Sequence, residues 1–298
     1  MVLLYIPPVQ NLLRREVTAY ASKATGMQIQ VERIGLRFPL NLLVRGVEVI
    51  QQPDTLLSLE SLNVRVQAWP LLKGKVEVDE VTLSQVAVNS ANLIEGMQIK
   101  GVLGRFFLQS HGVDLSNETA VVNRTELSDT HIQLLMTDTT TTPKDTTASA
   151  PVNWKVNLHQ LKLKNVSFGM KLPADSMKMA AYIGEATIDD AKADLKNQFY
   201  GLKQFLLSGA SASYDTGEAQ PSEGFDASHM AVRNIRIGLD SLLYEGRNMN
   251  AVIREITMEE RSGLSITSLT GRLFSNDSII RIPELKLQTP HSEIDLSA

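Results

Sequence analysis

At Gly26 the hydrophobic period of this chain changes from about 3.6 residues to about two, and it keeps the shorter period to its last residues. Before Gly26, apolar side chains fall at Val9, Leu12, Leu13, Val17, Tyr20 and Ala24, with Gln10, Asn11, Arg14, Arg15, Thr18 and Lys23 on the other side. Spacings of three and four make one apolar stripe on a helix. Pro7-Pro8 suits the first helical turn and Gly26 suits the position just past the last. The pattern predicts an amphipathic helix over 7–25.

After Gly26 the apolar residues alternate. Met27, Ile29 and Val31 do so, then Leu62, Val64 and Val66, then Val76, Val78, Val81 and Leu83. The habit returns at Trp154, Val156, Leu158, Leu161 and Leu163, at Phe168, Met170 and Leu172, at Ile235, Ile237 and Leu239, and at Leu264, Ile266, Leu285 and Leu287. Each such segment is a strand with one apolar and one polar face. The phase slips between Leu158 and Leu161, and again between Leu163 and Val166; a bulge at each slip would keep the apolar side chains on one face. Long helical patterns do not alternate with the strands, which argues against a parallel α/β sheet. The stretch from Asp190 to Leu207 has the propensity of a helix, but its apolar residues fit one only loosely, and strand is the preferred reading. The expected fold is mainly β: an elongated, curled antiparallel sheet behind an N-terminal amphipathic helix, continuous over 26–298. Solvated loops are expected at 137–151, rich in Thr, Asp and Ser, and at 215–228, rich in Gly, Glu, Pro and Ser. Ile294 and Leu296 still alternate at the end, as a piece of a longer chain would.

Charge and residue usage narrow the function. The net charge is −4, which offers no basic field for nucleic acid. With no cysteine there is no disulfide, thiolate metal site or cysteine nucleophile. No run reaches the roughly 18 apolar residues of a membrane span. Residues 1–6 read either as a frayed apolar terminus or as the tail of a membrane anchor. His111, His131, His159, His229 and His291 show no metal-ligand spacing, and no nucleophile elbow, phosphate loop or dinucleotide fingerprint occurs. Asp189-Asp190 and Glu259-Glu260 are adjacent, so on strands they point to opposite faces; they read as surface charges. No catalytic residue, cofactor or metal is expected.

The apolar face remains. About 20 strands at about 4.8 Å would make a sheet on the order of 100 Å long, too long for one compact core. Curled lengthwise, it becomes a greasy trough suited to an acyl chain, each CH₂ of which gains about 0.8 kcal/mol on leaving water. The aromatic share is 5%, so Leu, Val, Ile and Met supply flexible aliphatic walls. Val64, Val66, Val76, Val78, Val81, Leu83, Val156, Leu158, Ile235 and Ile237 are the expected wall residues. A sandwich or closed barrel with a dry core fits the same alternation. The helix, through Val9, Leu12, Leu13, Val17 and Tyr20, would lie at a membrane interface, cap the trough's end or pack on the sheet.

The opening Tyr5-Ile6-Pro7-Pro8-Val9-Gln10, the helix end Ala24-Thr25-Gly26, and the segment Leu40-Asn41-Leu42-Leu43-Val44-Arg45-Gly46-Val47 resemble the N-terminal end of TamB proteins, members of the AsmA-like family of the bacterial envelope. So do Pro70-Leu71-Leu72-Lys73-Gly74-Lys75-Val76 and the following Val81-Thr82-Leu83. The likeness covers about the first 90 residues. It implies a bridge-like lipid transfer protein of repeating β-groove units, with a single inner-membrane anchor and its bulk in the periplasm. It also implies a role in the translocation and assembly module, in outer-membrane biogenesis with an outer-membrane barrel-assembly partner engaged through regions not seen here. The expected function is that of a passive conduit for phospholipid between the inner and outer membranes, this chain forming the inner-membrane-proximal part. An assembly or scaffold factor for outer-membrane proteins is the other reading.

Overall fold

The computed structural model describes residues 6–69, 77–90, 93, 96–114, 117–137, 153–217 and 220–296, with the side chains of Leu13, Val113 and Asp114 left aside. The N-terminal helix α1 (Pro7–Thr25) has the bounds expected, and Gly26 closes it in a left-handed conformation (φ 70°), its N–H donating to the Ser22 carbonyl. Fifteen strands follow: β1 (Gln28–Arg37), β2 (Asn41–Gln51), β3 (Asp54–Val66), β4 (Val78–Asn89), β5 (Met97–Asp114), β6 (Thr119–Met136), β7 (Lys155–Leu172) and β8 (Met177–Asp194). Then come β9 (Phe199–Leu202), β10 (Gln204–Asp215), β11 (His229–Glu245), β12 (Asn248–Glu260), β13 (Ser265–Ser275), β14 (Ile280–Gln288) and β15 (Glu293–Leu296).

All belong to one sheet whose order follows the chain, β9 alone lying off the path between β8 and β11. Strands of up to 18 residues explain why there are fewer of them than the alternation implied. The sheet is mixed rather than wholly antiparallel: β6 and β7 run parallel. A parallel pair needs a crossover of a dozen or more residues, and the connection from Thr137 to Trp154 is long enough to supply it. Most of that connection, including nearly all of the expected 137–151 loop, lies outside the described residues.

The two phase slips of β7 extend across the sheet. Asn165, between Leu163 and Val166, has φ 53°; the equivalent steps hold Gly46, Gln85, Asp129 and Gly209, at φ 57°, 49°, 52° and 62°. Asn, Asp and Gly tolerate this left-handed conformation best. The intervening strands pass the same step at Glu32, Glu60, Gly104 and Gly184. A second step separates Leu158 from Leu161, Val122 from Thr125 and Ile188 from Ala191, with Asp190 at φ 50°. Each seam shifts the alternation by one residue, so the apolar side chains remain on one face.

Among the described residues no second layer closes over this sheet. The solvent-accessible surface is 19130 Å², against roughly 12,500 Å² for a compact globule of 32.9 kDa. Among the described residues no large side chain is fully buried, and the buried hydrophobic residues are only Leu56, Ala120, Ala186, Ala210 and Ala251.

Candidate functional site

Residues directly opposite one another in paired strands share a face. From β1 to β8, one register row runs Ile34, Val44, Leu62, Leu83, Phe106, Leu127, Leu163, Ala186. It continues from β10 to β15 through Leu207, Ile237, Ile256, Leu269, Leu287 and Ile294. Every strand on the sheet's path contributes one apolar residue, without a break. Two residues along, a parallel row joins Leu36, Leu42, Val64, Val81 and Leu108 through Thr125 to Leu161, Ile188, Phe205 and Leu239. The row between them belongs to the other face and is mixed: Asn63, Thr82, Phe107, Glu126, Lys162 and Thr187.

The unbroken row is neither buried nor bare. Apart from buried Ala186 and exposed Ile294 at its end, each of its members is half-buried. A sealed core would cover them completely; a flat sheet in water would uncover them.

The expected wall residues fall on this surface. Val64 pairs with Val81 and Val66 with Val78, while Leu83 and Ile237 stand in the unbroken row. Ile235 pairs with buried Ala210 across the first seam. Val156 and Leu158 pair with Ala193 and Ala191, and together with Leu202 and Leu242 they line a hollow of about 240 Å³. All nine are half-buried. Val76 lies outside the described residues.

A concavity of about 1120 Å³ contains none of these nine. It is built mainly from the other residue parity at one end of the strands. The rows His131–Ser167–Tyr182–Ser211 and Gln133–Gly169–Ala180–Ser213 line it throughout, joined by Arg233 and Glu259. His131 Nδ1 and Ser167 Oγ are hydrogen-bonded there, and Arg233 Nε donates to Glu259 at 3.0 Å. Alternation alone marks these residues as the polar side and gives no sign that this side, too, is hollowed.

The helix uses the opposite side from the one its apolar stripe would favour for packing. Gln10 Nε2 donates to the Leu36 carbonyl at 3.0 Å and Arg14 to the Val31 carbonyl at 2.9 Å, while Ser22 Oγ accepts the Ile29 N–H at 3.1 Å. These positions, with half-buried Thr18 between them, recur every four residues and form one polar stripe along β1. Unpaired groups of an edge strand invite another chain; here helix side chains occupy some of them. The apolar stripe consequently points away: Leu12 is 59% exposed, Val17 51% and Tyr20 77%, with Val9 half-buried. The helix therefore does not dock on the sheet through Leu12, Val17 or Tyr20; the side chain of Leu13 lies outside what is described. No helix among the described residues is long and apolar enough to cross a membrane.

The charged groups differ from a plain solvated set. Asp190 accepts from Lys203 at 2.7 Å and pairs with His159 at 3.1 Å, and the Lys203 bond above all holds its carboxyl below the ordinary value. Glu260 is not a surface charge: it is buried, and its carboxylate accepts the Ser262 N–H at 2.6 Å. Bonds from Ser262 keep its pKa low. His229 is buried as well, with Nδ1 3.0 Å from Asp226. Asp226 also accepts the N–H groups of Ser222 at 3.0 Å and Ser228 at 2.9 Å, which ties down part of the expected 215–228 loop. These bonds, Ser222's first, push its carboxyl far below the usual range. Among the described residues no three acidic or histidine side chains gather as a metal site.

Comparison of the chain with models of known families finds none that matches, and none of the curated proteins matches it.

Proposed function

We propose that this chain is a passive conduit for phospholipid between the inner and outer membranes of a bacterial envelope, as the inner-membrane-proximal part of a TamB-like, AsmA-like protein. The observation that carries this reading is the unbroken, half-accessible apolar row from Ile34 to Ile294. A monomeric soluble protein rarely leaves so extended an apolar surface without a ligand or partner. Acyl chains would lie along the row, Val64, Val81, Leu83, Val156, Leu158 and Ile237 among their contacts, while headgroups stay in water. No bond is made or broken, so the reading needs no catalytic group. The resemblance of the first 90 or so residues supports the envelope setting, and the outward apolar stripe of α1 supports a membrane beside the helix.

The test is extraction and mass spectrometry of lipid from the purified protein, paired with transfer of fluorescent phospholipid between vesicles. Bound phospholipid and protein-dependent transfer are expected. Protein without lipid that cross-links to nascent outer-membrane barrels would favour the scaffold reading instead.

A further inference from the structure

α1 lies along β1 with its N-terminal end beside the turn that joins β1 to β2, since Gln10 bonds at Leu36 and Ser22 at Ile29. The end of β3 is at the same corner: the Val66 N–H donates to the Leu40 carbonyl at 3.0 Å. Two aromatic side chains project here beyond the strands, Phe38 in the turn, 86% exposed, and Trp69 just after β3, 71% exposed. With Leu12, Val17 and Tyr20 they are five of the seven most exposed large hydrophobic residues described. Exposed apolar groups scattered singly need no explanation; here Leu12, Phe38 and Trp69 gather at the corner, and Val17 and Tyr20 continue the exposed stripe along the same edge of the sheet. The charge along this edge of the sheet is also unlike the rest. Residues 6–51 hold six arginines and lysines against three glutamates, in a chain of net charge −4. Arg15, Lys23, Arg33, Arg37 and Arg45 are exposed.

We propose that this corner docks on an anionic lipid bilayer, with Phe38 and Trp69 seated at the boundary of headgroups and acyl chains and the basic residues over the phosphates. Aromatic rings favour that depth, and basic side chains favour an anionic leaflet. The proposal extends the placement of α1 beside a membrane; it does not require the groove to carry lipid. The occupant is a bilayer surface rather than a protein because apolar and basic side chains lie side by side along this exposed edge, where basic residues outnumber acidic ones six to three.

The chain has two tryptophans, so Trp154→Phe leaves Trp69 as the sole reporter. Its emission should shift to the blue on adding phosphatidylglycerol-rich vesicles and be quenched by lipids brominated high on the acyl chain. Phosphatidylcholine vesicles or high salt should weaken both effects. Phe38→Ser should lower the fraction of protein floating with the vesicles at least about five-fold, with thermal unfolding unchanged. Unchanged Trp69 emission, or flotation indifferent to Phe38→Ser, overturns the proposal. Lipid co-purifying with the Phe38→Ser protein is measured separately. Loss of docking with groove lipid retained sinks neither reading, whereas docking without any groove lipid leaves the corner standing and removes the conduit.

Discussion

Asn165 and Asp129 face each other across the parallel pair β7 and β6, Asn165 Nδ2 donating to Asp129 Oδ1 at 2.8 Å, and both residues have a left-handed backbone. Their pairing fixes the first seam, the place where each strand advances its alternation so that the apolar row stays on one face.

The seam predicts a sharp difference between glycines. A Cβ on Gly104 would stand 2.7 Å from Asp129 Cβ and 2.8 Å from its carbonyl oxygen. Relief requires the backbone of β5 or β6 to move. Gly104→Ala should destabilise by about 1–3 kcal/mol in urea unfolding. Gly169, whose nearest neighbour would be 3.9 Å away, serves as the control. Gly169→Ala should change stability by less than about 1 kcal/mol in either direction. Equal effects would mean that the seam is not a close contact.

The polar stripe of α1 predicts where the helix is held. Ser22→Ala removes the acceptor for the Ile29 N–H. It should cost about 1 kcal/mol and speed hydrogen exchange at that amide. Tyr20→Ala, on the outward stripe, should alter stability by less than about 0.5 kcal/mol. The reverse ranking would show that the apolar stripe, not the polar one, binds the helix to the sheet.

Much of this was legible in the sequence. The bounds of α1, the β character of the rest and both slips in β7 follow from periodicity. Strands β5 and β6 were harder: Gly101 and Gly104, Thr125 and Thr130 take apolar-row or seam positions, so the alternation fades where the seams cross it. The parallel pairing of β6 and β7 has no local signal, because alternation is the same in either direction. The helix misleads in another way. An apolar stripe shows that one side avoids water but not what it meets, and Gln10, Arg14 and Ser22 bond to backbone groups that sequence does not display. Buried Glu260 and His229 depend on backbone donors and loop shape rather than on any motif.

Asp226 predicts a pH dependence with a definite sign. Its carboxyl titrates far below its ordinary value of 3.8, held there by Ser222, His229 and Ser228. A carboxyl with a depressed pKa in the folded state lends stability that is complete above its unfolded pKa and is lost as pH falls below it. Asp226→Asn should therefore be less stable than the native chain at pH 7. The gap should narrow steadily as pH falls through about 4 to 2, as urea midpoints would record. A gap constant across that range would contradict the role assigned to the carboxylate.

The central claim is that acyl chains lie on the apolar parity of this sheet. Leu163 and Lys162 are neighbours on β7 that point to opposite faces: Leu163 lies in the unbroken row opposite Leu127, and Lys162 lies opposite Glu126. A photo-cross-linking residue placed at each position in turn, in protein purified with its bound lipid, tests the claim most directly. Phospholipid adducts should form at position 163 and be absent at 162. Equal labelling at the two positions, or adducts at 162 alone, would contradict it.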